Sequence, residues 1–183
     1  MPKPWKVLDS RYVYDKKPYM TLREDTVELA NGSRIDDFFI FEYPNWVSVL
    51  PVTPEGNLVL IRQYRHGVGR VIPELVAGVI DPQEDPLLAA QRELLEETGF
   101  SGGEWSHLLT ASANPSTHTN VCTIYLAYGV ERLHTQILDA TEEIEVEVLK
   151  PETVFAMLNE NAFVQALHAA ALWKYFALTG KTN

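Results

Sequence analysis

Short runs of alternating or consecutive apolar residues occupy much of this chain, and they predict β-strands. The N-terminal strands are predicted at residues 7–14, 19–23, 26–30 and 38–43. These runs are rich in β-branched and aromatic residues, and Asn31-Gly32 offers a tight turn between two of them. We therefore expect a small antiparallel sheet at the N-terminus.

A second series of strands follows the N-terminal series, and the boundary between the two series lies near Tyr43. These strands are predicted at residues 46–52, 58–64, 71–76, 105–112, 121–128 and 144–149. An acidic helix interrupts them, and two late helices are predicted at 152–159 and 162–178. This order predicts an α/β (α+β) protein in which helices enclose a mixed sheet. We expect an N-terminal β region at 1–43 and a main domain at 44–183.

The last predicted helix is apolar over most of its circumference, with Leu167, Leu172, Trp173 and Phe176 among its side chains. A helix that is apolar all round is normally covered by other protein. We therefore expect it to be buried or to form part of a subunit contact.

The acidic helix carries start and stop signals at both ends. Asp85 is a suitable N-cap, Pro86 lies in the first turn, and Gly99 follows the last turn. Within the helix, Glu93 and Glu97 are four residues apart and Glu96 lies between them, so their carboxylates share one edge.

Like charges at this spacing destabilise a bare helix by roughly 0.2–0.5 kcal/mol per pair, so a cation is expected to compensate. The alternative without a functional site is an acidic helix face that is exposed to solvent. Carboxylate oxygens suit Mg²⁺ or Mn²⁺, and these ions also bridge to substrate phosphates. The pattern predicts a divalent metal site.

Composition narrows the possible partners. The 183 residues carry 15 basic and 25 acidic side chains and a formal charge of −10, which argues against a general nucleic-acid or anionic-membrane surface. We find no membrane-spanning run or signal peptide and expect a soluble, cytoplasmic protein. The single cysteine, Cys122, is expected to pack in a strand or core without a disulfide.

Residues 78–100 carry a glycine, a glutamate and the run Arg92-Glu93-Leu94-Leu95-Glu96-Glu97-Thr98-Gly99-Phe100 at set offsets. This segment resembles the Nudix box. The resemblance implies an α/β/α sandwich and metal-dependent hydrolysis of a nucleoside diphosphate linked to another group. It implies that Glu93, Glu96 and Glu97 bind Mg²⁺ or Mn²⁺, and that Arg92 and Glu84 brace them.

Two further segments resemble the ADP-ribose pyrophosphatase branch of this family. On the strand Arg62-Gln63-Tyr64-Arg65, the side chains of Arg62 and Arg65 face opposite sides. Arg65 is the expected substrate ligand, the alternative being a surface arginine paired with a carboxylate. The segment before the box implies that Glu74 holds a substrate ribose and that the Ala77 carbonyl completes the metal shell.

A loop between the later strands adds two candidates. Pro115 lies sixteen residues after Gly99, a spacing that in the resembling branch accompanies ADP-ribose hydrolysis. Its alternative is a loop proline that ends a strand. His118 could contact phosphate or base, or be a solvated loop histidine.

The resembling branch takes its general base from a glutamate on a loop after the sheet. In this chain Glu142 and Glu143 occupy that place, just before the strand at 144–149. Glu142 is the first choice and Glu143 the second, and either could instead be a plain solvent-facing carboxylate.

The reaction implied is hydrolysis of ADP-ribose to AMP and ribose 5-phosphate. Alternatives are another Nudix pyrophosphatase, acting on a sugar nucleotide, a dinucleoside polyphosphate or an oxidised nucleotide, and a non-catalytic nucleotide-binding sensor. The resemblance also implies a homodimer that uses the N-terminal strands, and Phe38, Phe39, Phe41 and Trp46 offer aromatic surface there.

Overall fold

The structure, a computed structural model, describes residues 1–180. The strands are β1 (Lys6–Lys16), β2 (Met20–Glu28), β3 (Arg34–Glu42), β4 (Trp46–Val52), β5 (Leu58–Arg65), β6 (Arg70–Glu74), β7 (Val76–Val79), β8 (Phe100–Ala111), β9 (Cys122–Arg132) and β10 (Ile144–Leu149). The helices are α1 (Pro86–Thr98), α2 (Pro151–Asn159) and α3 (Ala166–Thr179).

The chain forms two compact units. The first contains Met1–Asn45 and Ser112–Val121, and the second contains Trp46–Ala111 and the chain from Cys122 onward. The predicted division into 1–43 and 44–183 does not assign residues 112–121 to the N-terminal part, and its last three residues, 181–183, lie outside the described part of the chain.

The first unit is built on an antiparallel sheet in the order β1-β2-β3. The prediction of two separate strands at 19–23 and 26–30 is wrong, because the single strand β2 covers most of both ranges. The pairing of β2 with β3 is irregular between Asp25 and Val27. The turn at Asn31-Gly32 joins β2 to β3, and Gly32 adopts a φ of 82°, which favours glycine.

The second unit contains a seven-stranded sheet with the order β10-β5-β4-β9-β8, to which β6 and β7 add by pairing with β5 and β4. The β4–β9 pair is parallel and the other pairs are antiparallel, so the predicted mixed sheet is confirmed. The single strand predicted at 71–76 is wrong. The chain leaves β5 after Glu74 and joins β4 at Val76, and Leu75 is the point of exchange.

Both faces of this sheet are covered by helices. Along β5, Leu58 and Leu60 pack on the side of α2 and α3, whereas Val59 and Ile61 pack on the side of α1. A strand that is buried on both faces reads as a continuous apolar run, which explains the sequence of β5. The α/β/α sandwich is confirmed.

Helix α1 has the predicted ends. The Asp85 carboxylate accepts hydrogen bonds from the backbone N–H groups of Leu87 and Leu88, and Gly99 closes the helix with a φ of 73°. Predicted boundaries elsewhere differ: β8 already begins at Phe100 instead of 105, and α3 begins at Ala166 instead of 162.

Helix α3 is mostly covered by its own unit. Leu167, Ala171, Leu172, Tyr175 and Phe176 are buried in the core. Trp173 and Leu178 remain exposed. Cys122 is buried in β9, as expected. Among residues 1–180 no helix is both long and apolar enough to cross a membrane.

Candidate active site

The centre of the candidate site is the edge of α1 that carries Glu93, Glu96 and Glu97. Strand β7 passes so close that a Cβ added at Gly78 would lie 1.9 Å from Oε1 of Glu93. The absence of a side chain at Gly78 therefore allows the Glu93 carboxylate to lie against β7. A larger residue at position 78 would displace this carboxylate.

Arg92 connects the acidic groups of this site. Its Nε and Nη2 donate to the two carboxylate oxygens of Glu84, each at 3.0 Å. Its Nη1 donates to Oε1 of Glu93 at 2.8 Å and to Oε2 of Glu96 at 3.1 Å. The hydrogen bonds from Arg92 lower the pKa of Glu84. Arg92 thus compensates three carboxylates with one guanidinium group.

Glu97 is buried and lacks such a partner. It is 5% exposed, and one carboxylate oxygen accepts a hydrogen bond from the Ala77 N–H at 3.2 Å. Burial raises the pKa of Glu97 to about 8; the negative charges of Glu93 and Glu142 add to the rise, and the Ala77 N–H opposes it. Burial likewise raises the pKa of Glu93, although Arg92 counters part of the effect.

A cleft of about 350 Å³ opens at this edge. Its lining residues are Asp81, Arg92, Glu93, Glu96, Glu97, Ile137, Leu138, Asp139 and Glu142. The structure therefore brings Glu142 to the glutamates of α1. Glu143 lines a separate cleft with Gln63, Tyr64, Ala140 and Thr141.

Glu142 is held by its own turn. Its Oε2 accepts a hydrogen bond from the Asp139 N–H at 3.0 Å, and its backbone N–H donates to the Asp139 carbonyl at 2.9 Å. These two bonds fix the side chain relative to residues 139–142. The orientation of Glu142 in the cleft therefore depends on where this turn lies.

Arg65 and Glu74 form a close ion pair. Nε of Arg65 donates to Oε2 of Glu74 at 2.7 Å, and Nη2 lies 2.7 Å from the same oxygen. Glu74 is 3% exposed, whereas the side chain of Arg65 is 42% exposed. Part of the guanidinium thus remains available to a ligand while the rest neutralises a buried carboxylate.

Pro115 and His118 belong to the first unit, and Pro115 is exposed in its loop. The loop pairs with β3 through an isolated bridge, in which the Phe41 N–H donates to the Thr117 carbonyl at 2.7 Å. The His118 ring contacts Phe41 and Tyr43 at centroid distances of 5.6 and 5.2 Å. His118 is therefore part of an aromatic cluster and not a freely solvated side chain.

The donor chemistry of the cleft fits a divalent cation, because its acidic side chains outnumber its basic ones and both the buried Glu97 and the half-buried Glu93 have raised pKa values. Within residues 1–180, no three His, Cys, Asp or Glu side chains converge as a ligand group. In this arrangement Arg92 Nη1 donates to both Glu93 and Glu96.

Two acidic lining residues were missed by sequence reasoning. Asp81 lies between Gly78 and Glu84 inside the box, and Asp139 begins the turn that carries Glu142. The sequence signal that could have identified them is their position close to residues already predicted to belong to the site. Their side chains reach the cleft only because β7 and the loop after β9 approach the same helix edge.

Comparison with known protein families decides the family. Residues 42–169 match the NUDIX domain. The chain belongs to the NUDIX family. Residues 5–41 match the nucleoside diphosphate sugar hydrolase N-terminal domain. The chain is thus a Nudix pyrophosphohydrolase by family, and Nudix hydrolases generally use divalent metals.

Individual relatives are similar to this chain over most of its length. An ADP-ribose pyrophosphatase of Bacillus subtilis is 30% identical over 81% of this chain and 80% of its own length. A methanol dehydrogenase activator of Bacillus methanolicus is 30% identical over 76% of this chain and 75% of its own length. The solved structure of an ADP compounds hydrolase has a TM-score of 0.84 and 24% identity, covering 99% of this chain and 98% of that one, which shows the shared fold.

Proposed function

We propose that this Nudix protein hydrolyses nucleoside diphosphate compounds, with ADP-ribose, cleaved to AMP and ribose 5-phosphate, as its main substrate. The observation that carries the proposal is the cleft in which Glu142 faces the glutamates of α1. The similarity to ADP-ribose pyrophosphatases supports the choice of substrate.

In this proposal Glu93, Glu96 and Glu97, with the Ala77 carbonyl, hold Mg²⁺ or Mn²⁺. Such an ion, when bound, neutralises the diphosphate and lowers the pKa of a water for in-line attack on phosphorus. Arg92 keeps Glu93 and Glu96 oriented through the contacts described above.

Glu142 is the proposed general base that accepts the proton of the attacking water. Its support is its position on the same cleft as Glu93 and Glu97. Glu143, the second choice, lines a different cleft and is kept as the alternative. General-base assistance is typically worth about 10²–10⁴-fold in rate.

Arg65 is the proposed diphosphate ligand, because its exposed guanidinium edge can donate to phosphate oxygens while it remains paired with Glu74. We propose that Glu74 binds the ribose. Pro115 and His118 are proposed to shape substrate contacts from their loop, and the aromatic packing of His118 supports a ring that could stack on a base.

A second candidate substrate class is the nucleotide sugars. The match of residues 5–41 to the nucleoside diphosphate sugar hydrolase N-terminal domain favours it. A non-catalytic sensor remains the third alternative, and the complete set of box glutamates speaks against it.

The deciding experiment measures phosphate released by a coupled phosphatase from ADP-ribose, ADP-mannose, GDP-mannose, NADH, diadenosine polyphosphates and 8-oxo-dGTP. Each compound is tested with Mg²⁺, Mn²⁺ or a chelator. Preference for ADP-ribose with loss of turnover in chelator supports the proposal. Preference for GDP-mannose would change the proposed substrate class to nucleotide sugars. Binding without turnover would favour the non-catalytic sensor.

Two substitutions separate the proposed roles. Glu97→Gln is expected to nearly abolish turnover, whereas Glu142→Gln is expected to lower it by about 10²–10⁴-fold and leave weak metal-dependent activity. Glu131→Gln, an exposed change at the end of β9, is the matched control. Wild-type turnover in Glu142→Gln, combined with a loss in Glu143→Gln, would reassign the base.

We also propose a homodimer that uses β1. All residues of this edge strand are exposed, and they include Val7, Tyr12, Val13 and Tyr14. An exposed apolar edge strand is prone to pair with another chain. Light scattering at micromolar concentration tests this, because a monomer would contradict it.

The cytoplasmic location stays a prediction that cell fractionation tests.

A further inference from the structure

The segment that follows β9 is attached to the C-terminal end of α1. The backbone N–H groups of Leu133 and His134 donate to the Gly99 carbonyl, each at 3.1 Å, and the Ile137 N–H donates to the Glu96 carbonyl at 2.9 Å. The last carbonyls of a helix have no partner within the helix. This segment supplies partners for them.

Gln136 makes the side-chain part of this attachment. Its Nε2 donates to the Glu97 carbonyl at 2.7 Å and to the Ile144 carbonyl at 3.1 Å. One amide nitrogen thereby joins the residue in α1 whose carboxylate lines the cleft to the first residue of β10. Gln136 is half-buried, so these bonds are partly shielded from water.

Gln136 directly precedes the loop 137–143, and the Ile144 carbonyl directly follows it, so the two hydrogen bonds of Gln136 join both ends of the loop to each other and to the Glu97 carbonyl of α1. Glu142 is fixed within its turn by Asp139, as shown above, and within the described part of the chain residues 139–142 themselves make no hydrogen bond to α1. The position of the Glu142 carboxylate relative to Glu97 is therefore set by the anchors of the loop. Gln136 is the anchor that holds both ends.

We propose that Gln136 is a positioning residue, which ties the Glu142 loop to α1 and so sets the distance between the proposed base and the Glu97 carboxylate. This inference rests on the proposed function for its catalytic consequence. A misplacement of about 1 Å can cost about 10²-fold in rate, so a loosened loop is expected to lower kcat.

The test compares Gln136→Leu, which removes the amide donors, with Gln91→Leu, a matched change at an exposed position of α1. Hydrogen exchange is measured on peptides covering 137–143 and 86–95, and kcat and KM are measured on ADP-ribose with Mg²⁺. Gln136→Leu is expected to exchange faster only in 137–143. It is expected to lose about 10- to 100-fold in kcat with a KM change below about threefold.

A double variant tests whether Gln136 acts through Glu142. In a Glu142→Gln background, Gln136→Leu is expected to lower kcat by less than about threefold further, because the positioned group is already disabled. Full additivity of the two changes would overturn the proposal. If Gln136→Leu does not fold, Gln136→Met, which keeps a similar length without the donors and adds no charge, takes its place.

The two proposals fail in different ways. Absence of turnover by the wild-type protein would count against the proposed function. Unchanged exchange in 137–143 after the substitution would overturn the tether whether or not the wild type is active. Faster exchange with unchanged kcat in an active enzyme would overturn the positioning role.

Discussion

His168 provides a prediction about stability that is independent of catalysis. It lies on α3, is 1% exposed, and accepts a hydrogen bond at Nδ1 from the Leu75 N–H at 3.3 Å. This bond assigns the proton to Nε2, for which the described residues offer no partner. Burial lowers the pKa of His168 to about 3, and the positive charge of Arg65 acts in the same direction.

The sign of the pH effect follows from the two pKa values. The ordinary value of 6.5 applies to the unfolded chain, and about 3 applies to the folded chain. Between these values the unfolded chain binds a proton that the folded chain excludes, so stability decreases as the pH falls from about 6.5 toward 3.

At pH 5 the expected loss is about 2 kcal/mol relative to pH 8, since RT ln(1 + 10^1.5) is about 2 kcal/mol. This value depends mainly on the pKa of the unfolded chain, because a buried imidazole with a pKa of about 3 is almost fully neutral at pH 5.

The perturbation is His168→Asn, whose amide oxygen can replace Nδ1 as the acceptor for Leu75 without titrating. Urea unfolding followed by far-UV circular dichroism at pH 8 and pH 5 gives the free energy of unfolding. The wild type is expected to lose about 2 kcal/mol more than the variant over this interval. His134→Asn, the same change at an exposed position, is the matched control.

In the difference between wild type and variant, the contributions of the other titrating groups to the pH dependence of stability cancel. Glu93 and Glu97 have raised pKa values, so they favour the folded state as the pH falls, but they do so equally in both proteins. If wild type and His168→Asn lose the same free energy to within about 0.5 kcal/mol, the neutral buried imidazole is refuted.

Three further substitutions test the glycines and the cap of α1. Gly78→Ala is expected to displace the Glu93 carboxylate and lower turnover more than tenfold while urea unfolding changes little, and unaltered kcat would contradict this. Gly99→Ala is expected to lower stability by at least about 1–2 kcal/mol, because φ is 73° and the new Cβ would lie 2.1 Å from the His134 carbonyl oxygen; a thermal midpoint equal to the wild type would refute it. Asp85→Ala removes the side-chain cap and is expected to cost about 1 kcal/mol in urea unfolding, whereas Asp85→Asn should restore most of it.

Much of the fold could be predicted because its signals are local. The Asp85 cap, the proline and the glycine belong to the two ends of one helix, and the continuous apolar run of β5 indicates that both of its faces are covered. The strands predicted at 19–23 and 26–30, and the one at 71–76, failed for a common reason. A strand continues or ends according to the partner it pairs with, and the partner is distant in sequence.

Helical geometry alone places Glu93, Glu96 and Glu97 along one edge of α1, so this feature could be read from the residue spacing. Long-range packing, by contrast, makes Glu142 and not Glu143 line their cleft, and it brings Gln136 to the Glu97 carbonyl 39 residues away. A one-residue step along a loop turns a side chain toward a different neighbour. Which neighbour it meets depends on how the loop is anchored, and the anchors are long-range hydrogen bonds that no local pattern encodes.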